Sequence, residues 1–364
     1  MSQVLSQASY EWMSRPADER FVGFDPMIEK AQAYWDNATR KVVSTRAFEV
    51  QPVGTDHQGL AIVGKANVPY LPTNWAFNQI CQRAGAPSSY FRDSALPTEI
   101  VADCLNWGLR NRQIEEVGLT LYQNGSNRLA AMTGPNYGLI TNLSILKTLR
   151  KIFGDGLTGH WRIPGEFGKA ITYTTENTTM FMSDRDMFIF LADEDRRIEI
   201  PGRRAGLMGT FARGWFLKNS EVGSTTLDLT GFFYDYTCCN RNVWGVEGVK
   251  KISLRHTSGA PDRWLYESLP ALKSYSESST KGLEQAIKER MSHKLGGKEE
   301  VEAFLAKRFT KSQASAIITV HEQEEGRPIE TLWDAGVGAT AYARQIPYQN
   351  ERVKVEVEAG KMMG

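Results

Sequence analysis

The stretch Val117-Gly118-Leu119-Thr120-Leu121-Tyr122-Gln123-Asn124-Gly125-Ser126-Asn127-Arg128-Leu129-Ala130-Ala131-Met132 sets two strand-forming runs on either side of Asn124-Gly125. An Asn-Gly pair supplies the positive backbone φ angles that a tight hairpin turn requires. The stretch therefore predicts an antiparallel hairpin over Val117–Gln123 and Arg128–Met132.

Upstream, the pattern predicts a helix from Pro26 to about Val42 and strands near Ala47–Val53 and Leu60–Val63. Thr73 or Asn74 caps a helix carrying Phe77, Ile80, Cys81 and Ala84, which stops before Gly85 and Pro87. A further helix starts near Pro97 and buries Val101, Cys104, Leu105 and Leu109. Downstream, Asn142–Phe153 reads as a helix with Ile145, Leu149, Ile152 and Phe153 on one face. Then the period changes. Ala170–Thr175, Met180–Ser183, Met187–Ala192 and Thr225–Cys238 read as strands, with a β-bulge expected at Gly231. After Pro261 the chain turns helical: Arg263–Tyr275, Thr280–His293, Glu299–Phe309, Lys311–Glu322 and Thr331–Arg344.

Helices, then strands, then a helical run argue for an α+β fold: an antiparallel strand-rich core, flanking helices and a helical C-terminal region. The chain divides into a polar lead-in and helix (1–45), an α+β core (46–260) and the helical region (261–364), with the boundary at Thr257–Pro261. Neither a G-x-G-x-x-G nor a G-x-x-x-x-G-K-[ST] motif is present, so a nucleotide-binding α/β fold has no support.

Apolar residues make up 41% of the 364, and charged residues 23%, enough for a sizeable core. The longest apolar run, Met187–Ala192, falls far short of the roughly 20 residues of a membrane span. Met1–Tyr10 lacks the features of a signal peptide, so a bacterial cytoplasm is the expected location. Cys81, Cys104, Cys238 and Cys239 form no C-x-x-C pair, and they are read as reduced and structural.

The net charge is +1, yet residues 196–256 carry ten cationic side chains against five acidic ones. Phe211, Trp215, Phe216, Phe232, Phe233, Tyr234, Tyr236 and Trp244 lie among them. Cations track phosphates and exposed rings stack on unpaired bases, so the segment points to single-stranded nucleic acid. The expected contacts are Arg203, Arg204, Arg213, Lys218, Arg241, Lys250, Lys251 and Arg255 on phosphates, with Trp215 or Tyr236 stacking. The plainer reading places those rings in a core and the arginines in solvent.

Asn219-Ser220-Glu221 is a polar cluster before a strand, open to capping a turn, to general-base work or to a divalent metal. His256 is a second acid–base candidate if folding brings Glu221 or Asp235 to it. Tyr137 lies in a turn, either folded onto the core or offered to a base. The other histidines (His57, His160, His293, His321) show no ligand spacing, so no histidine metal site and no cofactor are expected. No G-x-S-x-G elbow anchors a hydrolase triad. Two C-terminal stripes, Val301/Phe304/Leu305/Phe309 and Leu332/Trp333/Val337/Tyr342, fit internal packing or a subunit interface.

Four stretches carry a family resemblance: Asn74–Ala84 with Pro87-Ser88-Ser89-Tyr90; Asn106 and Leu109 through Arg128–Met132 to Asn136-Tyr137; Asn219–Gly223 through Cys239-Asn240 to Arg255-His256-Thr257; and Thr331–Asp334 with Thr340–Arg344. In that order they resemble the phage- and plasmid-borne family catalogued as "domain of unknown function 932". Arg241, after Asn240, and Gly336 and Gly338 depart from its pattern. The resemblance implies a mobile-element protein in replication, recombination or counter-defence. With the basic segment, it favours a homo-oligomeric binder of single-stranded nucleic acid, used in annealing or recombination, over an enzyme. The rivals are an enzyme built on Glu221, Asn219, Asn240 and His256, and a non-catalytic binder of a host defence component.

Overall fold

The computed structural model describes residues 15–54, 59–112, 116–165, 172–203, 207–235, 242–244, 251–346 and 349–363. The hairpin forms as expected. β6 (Glu116–Asn124) and β7 (Ser126–Thr133) pair antiparallel across Gly125, whose φ is 70°. They lie within a six-stranded sheet completed by β2 (Ala38–Ser44), β3 (Phe48–Val53), β4 (Gly59–Gly64) and β5 (Pro69–Pro72), in the order β2-β6-β7-β5-β4-β3. Only the β5–β7 pairing is parallel among the described residues. Helix α1 (Phe24–Asp36) ends well before Val42, because Ala38–Ser44 pairs along β6 instead. The β-branched Thr39, Val42 and Val43 suit that strand better than a helix.

Helices α2 (Asn74–Ala84), α3 (Ser88–Asp93) and α4 (Thr98–Asn111) follow, and α2 opens on a Thr73 side-chain cap. Ile80, Cys81, Val101, Leu105 and Leu109 from α2 and α4 pack on Val117, Leu119 and Leu121 of β6. Cys104 was expected on that apolar face but is exposed, one step round the helix from Leu105.

The second sheet runs β1 (Arg20–Phe21), β9 (Met180–Met182), β10 (Met187–Asp193), β12 (Leu207–Asn219), β13 (Leu227–Asp235) and β14 (Asn242–Trp244). At its margins β8 (Trp161–Arg162) joins β10, β11 (Ile198–Arg203) joins β12 and β15 (Lys251–Leu254) joins β13. Gly231 pairs opposite Trp215 in unbroken register, so the bulge expected there is absent. Register shifts fall instead at Thr120/Leu121 and Ile200/Arg203. Residues 172–175 of the expected 170–175 strand are irregular. Helix α5 (Asn142–Phe153) and α1 cover one face, burying Phe24, Met27, Ile145, Leu149 and Phe153 against Met187, Ile189 and Trp215.

The helical region comprises α6 (Ala260–Arg263), a π-helical turn (Trp264–Ser268), α7 (Leu269–Glu277), α8 (Lys281–Ser292), α9 (Lys298–Ala306), α10 (Lys311–Glu325), α11 (Leu332–Ala343) and α12 (Gln349–Met363). The architecture is α+β, two antiparallel-rich sheets with a helical C-terminal region. Both C-terminal stripes pack internally. Val301, Leu305 and Phe309 share a core with α10 to α12, while Trp333 and Val337 bury against Ile198, Ile200 and Phe211 of the second sheet. No helix among the described residues is long and apolar enough to cross a membrane.

Candidate functional site

The loop from Asn219 to Ser224 leaves the end of β12 and is held by side chains from several elements. Asn219, fully buried, donates from Nδ2 to Ile140 O (2.9 Å) and Asn142 Oδ1 (2.8 Å). Ser220 Oγ donates to Arg185 O (2.7 Å), and Tyr137 donates its hydroxyl to Ser220 O (2.8 Å). Val222 O accepts from Trp75 Nε1 (3.0 Å) and Gln79 Nε2 (2.7 Å). Gln79 Oε1 in turn accepts from Met132 N (2.8 Å), which ties the loop to the first sheet.

The fixed loop aims Glu221 into a cleft of about 680 Å³. Its Oε1 accepts from Trp35 Nε1 (2.9 Å) and from the backbone N of Asn142 (2.5 Å), the first residue of α5. Among the described residues Oε2 accepts no hydrogen bond. Burial pushes the Glu221 carboxyl up to about 7; the bonds from Trp35 and Asn142 oppose the rise without cancelling it. Beside it the Tyr34 hydroxyl is buried without a partner among the described residues. Burial, and then the nearby Glu221, push its ionisation further up. Tyr34 stacks on Tyr122 of β6, with ring centroids 4.8 Å apart and planes 15° apart. Exposed Lys30, Arg128 and Arg185 line the cleft, as do Asp18, Glu19 and Asp184. The Arg185 guanidinium lies over the Trp75 ring at 4.7 Å, and Glu19 is drawn off by Arg15 at 3.0 Å. Among the described residues no three His, Cys, Asp or Glu side chains are placed to hold a metal.

His256 stands outside the cleft. Its Nδ1 faces Gly138 O at 3.1 Å and its ring stacks on Tyr137 at 4.9 Å. Burial holds its pKa below the usual imidazole value, against the pull of the Gly138 bond. It buttresses Tyr137, which grips Ser220. Tyr137 is thus folded inward. The expected Glu/Asn/His grouping is divided: Asn219 and Glu221 are neighbours, His256 is a layer back, and Asn240 lies outside the described residues.

Within 196–256 the structure overturns the expected surface roles of Arg213 and Trp215. Arg213 is fully buried: Nη2 pairs with Asp193 at 3.0 Å and bonds Ser276 O, while Nη1 bonds Tyr275 O and Ser278 O. Trp215, also fully buried, packs on Phe153 at 5.0 Å. Neither can reach a strand in solvent, because this part of β12 is interior. Phe211 and Phe216 are likewise core, and Arg196 and Arg197 pair with Asp193 and Glu194. Lys218 is part-exposed near the end of β12, and Arg255 is exposed after β15. Arg203 ends β11 and Lys251 begins β15. Arg204, Tyr236, Arg241 and Lys250 lie outside the described residues.

Sequence reasoning missed Tyr34, Trp35, Tyr122, Asn142 and Arg185. Tyr34-Trp35 reads as ordinary helix, and no local signal marks a role. Ser183-Asp184-Arg185-Asp186, a polar turn between strands, was the one visible hint. No protein family, curated protein or solved structure matches the chain. Three stretches distant in sequence meet around this loop: Trp75 and Gln79, Met132 to Tyr137, and Asn219 to Gly223 with His256.

Proposed function

We propose that the Glu221 cleft holds a nucleotide unit of single-stranded nucleic acid while the strand runs on across its rim. The observation that carries this is one carboxyl oxygen, Oε2, left unbonded by the described residues in a cleft that exposed Arg128, Arg185 and Lys30 also line. A carboxylate accepts from an exocyclic base amino group, and the arginines suit phosphate. The Tyr34–Tyr122 pair offers a ring surface for stacking. The volume falls in the ~300–1,000 Å³ range of small-ligand sites. A mobile-element protein of annealing or recombination, working as a homo-oligomer in the cytoplasm, fits this reading. Near-neutral chains gain avidity by assembly.

Titrating labelled oligonucleotide at several salt concentrations tests it. Arg128→Glu with Arg185→Glu is expected to weaken binding by at least about tenfold and to flatten the salt slope by about 0.7 per lost contact. Unchanged affinity and slope would remove the cleft from the binding surface.

A second reading has its own support. A carboxyl pushed up to about 7 suits general acid–base chemistry at neutral pH. Under it, Glu221→Gln abolishes turnover of a bound strand or nucleotide while leaving binding within a few-fold. Under pure binding, the same change alters affinity alone.

A further inference from the structure

Two polar groups in the wall of the Glu221 cleft are unpaired among the described residues. One is Glu221 Oε2, and the other is the hydroxyl of Tyr34, buried on α1. Trp35, the next residue, draws both to the same wall. Its Nε1 bonds Glu221 Oε1 at 2.9 Å, and its ring meets that of Tyr34 edge-on, with centroids 5.8 Å apart. No hydrogen bond joins Tyr34 to Glu221, so each is left to a third group. Buried polar groups are seldom left unbonded, and a pair of them in one cleft marks where a ligand's polar edge fits.

The two groups differ in hydrogen-bonding sense. Burial, and then the nearby Glu221, push the ionisation of Tyr34 up, so its hydroxyl keeps a proton to donate. Glu221 Oε2 accepts wherever the carboxyl is ionised. An acceptor beside a donor matches the pairing edge of a nucleobase, where an N–H adjoins a ring nitrogen or a carbonyl. All four bases carry that combination, and in a duplex the complementary strand consumes it. Proteins that hold a single base out of the stack read it by the same edge.

Resting on the reading that the cleft holds a nucleotide unit, we infer that Glu221 and Tyr34 read the pairing edge of one base, Oε2 accepting and the hydroxyl donating. Together they admit an unpaired base and exclude a paired one, without choosing among base types. The hydroxyl stands at the end of its ring, so reading by it leaves the stack on Tyr122 intact. Exposed Arg128 and Arg185 take the flanking phosphates.

Fluorescence anisotropy with two labelled oligomers tests this, one of thymidine and one of N3-methylthymidine. Low salt and pH 8 are used, above the value of about 7 to which burial pushes the Glu221 carboxyl. The methyl group replaces the donor of the pairing edge and leaves the phosphates unchanged. The wild type is expected to bind the thymidine strand at least about tenfold more tightly, and a duplex of equal length should compete about tenfold more weakly. Tyr34→Phe removes a hydroxyl with no partner in the fold, so the chain keeps its stability. It should bind the thymidine strand about fivefold less tightly and the methylated strand as the wild type does. Equal binding of the two strands, a duplex that competes as well as the single strand, or a Tyr34→Phe variant that leaves the difference unchanged overturns the inference. If binding in those cases still falls with Arg128→Glu and Arg185→Glu, the cleft remains a strand site whose base faces elsewhere. If neither strand binds, the proposed function itself fails and takes the base-reading pair with it.

Discussion

At Glu221, burial and hydrogen bonding act in opposite directions, and burial wins. Its carboxyl rises from 4.5 to about 7, so the folded chain holds that proton more tightly than the unfolded chain. The sign follows. Stability conferred by the protonated form is complete below pH 4.5 and is lost as pH rises to about 7. At about 1.4 kcal/mol per pH unit the loss is at most about 3.5 kcal/mol, less whatever solvent reaching the cleft restores. Glu221→Gln should therefore match or exceed the wild type in stability at pH 8, and the gap should close near pH 5. Urea unfolding at the two pH values checks this; a variant much weaker at pH 8 would mean that the carboxylate is structurally required. Arg213 behaves oppositely. Arg213→Ala leaves fully buried Asp193 without its closest partner and should cost about 3–5 kcal/mol, measured by the same unfolding. Sequence signalled Glu221 correctly as a polar group before a strand. It could not show that Arg213 points inward, since an arginine on a strand reads the same on either face until the sheet is covered.

Elements meet where small residues let them. A Cβ at Gly108 of α4 would lie 2.2 Å from Ala84 O of α2, so Gly108→Ala must push the two helices apart. An expected loss of about 1–3 kcal/mol follows, seen as a lower unfolding midpoint. Helix α11 opens on a capping box: Thr331 accepts from Asp334 N, and Asp334 bonds back while gripping Arg327. Burial alone would raise the Asp334 carboxyl, but His321 and Arg327 outweigh it and hold it well below the usual range. Its contribution is thus present above pH 3.8 and lost on acidification below that. Asp334→Asn should flatten the acid limb of the stability–pH curve, and an unchanged limb would assign acid unfolding to other carboxylates. The hairpin and the starts of these helices were legible because turn and cap chemistry is local. The end of α1 was not, since partnership with distant β6 decides it; nor was the regular strand through Gly231, which pairing with Trp215 of β12 keeps in register.

Across the whole molecule, the cleft gathers Tyr34, Tyr122, Asn142, Arg185 and Glu221 from α1, β6, α5, the β9–β10 turn and the loop after β12. Such a gathering is a product of tertiary folding alone, which is why a contiguous basic segment was the more visible candidate. The most direct measurement is photocrosslinking of a single strand bearing 5-bromouracil, followed by identification of the modified peptides. Binding in the cleft predicts adducts at Tyr34, Trp35 or Tyr122, reduced by Arg128→Glu with Arg185→Glu. Adducts confined to residues 196–256, or none under conditions where the strand is bound, would contradict it.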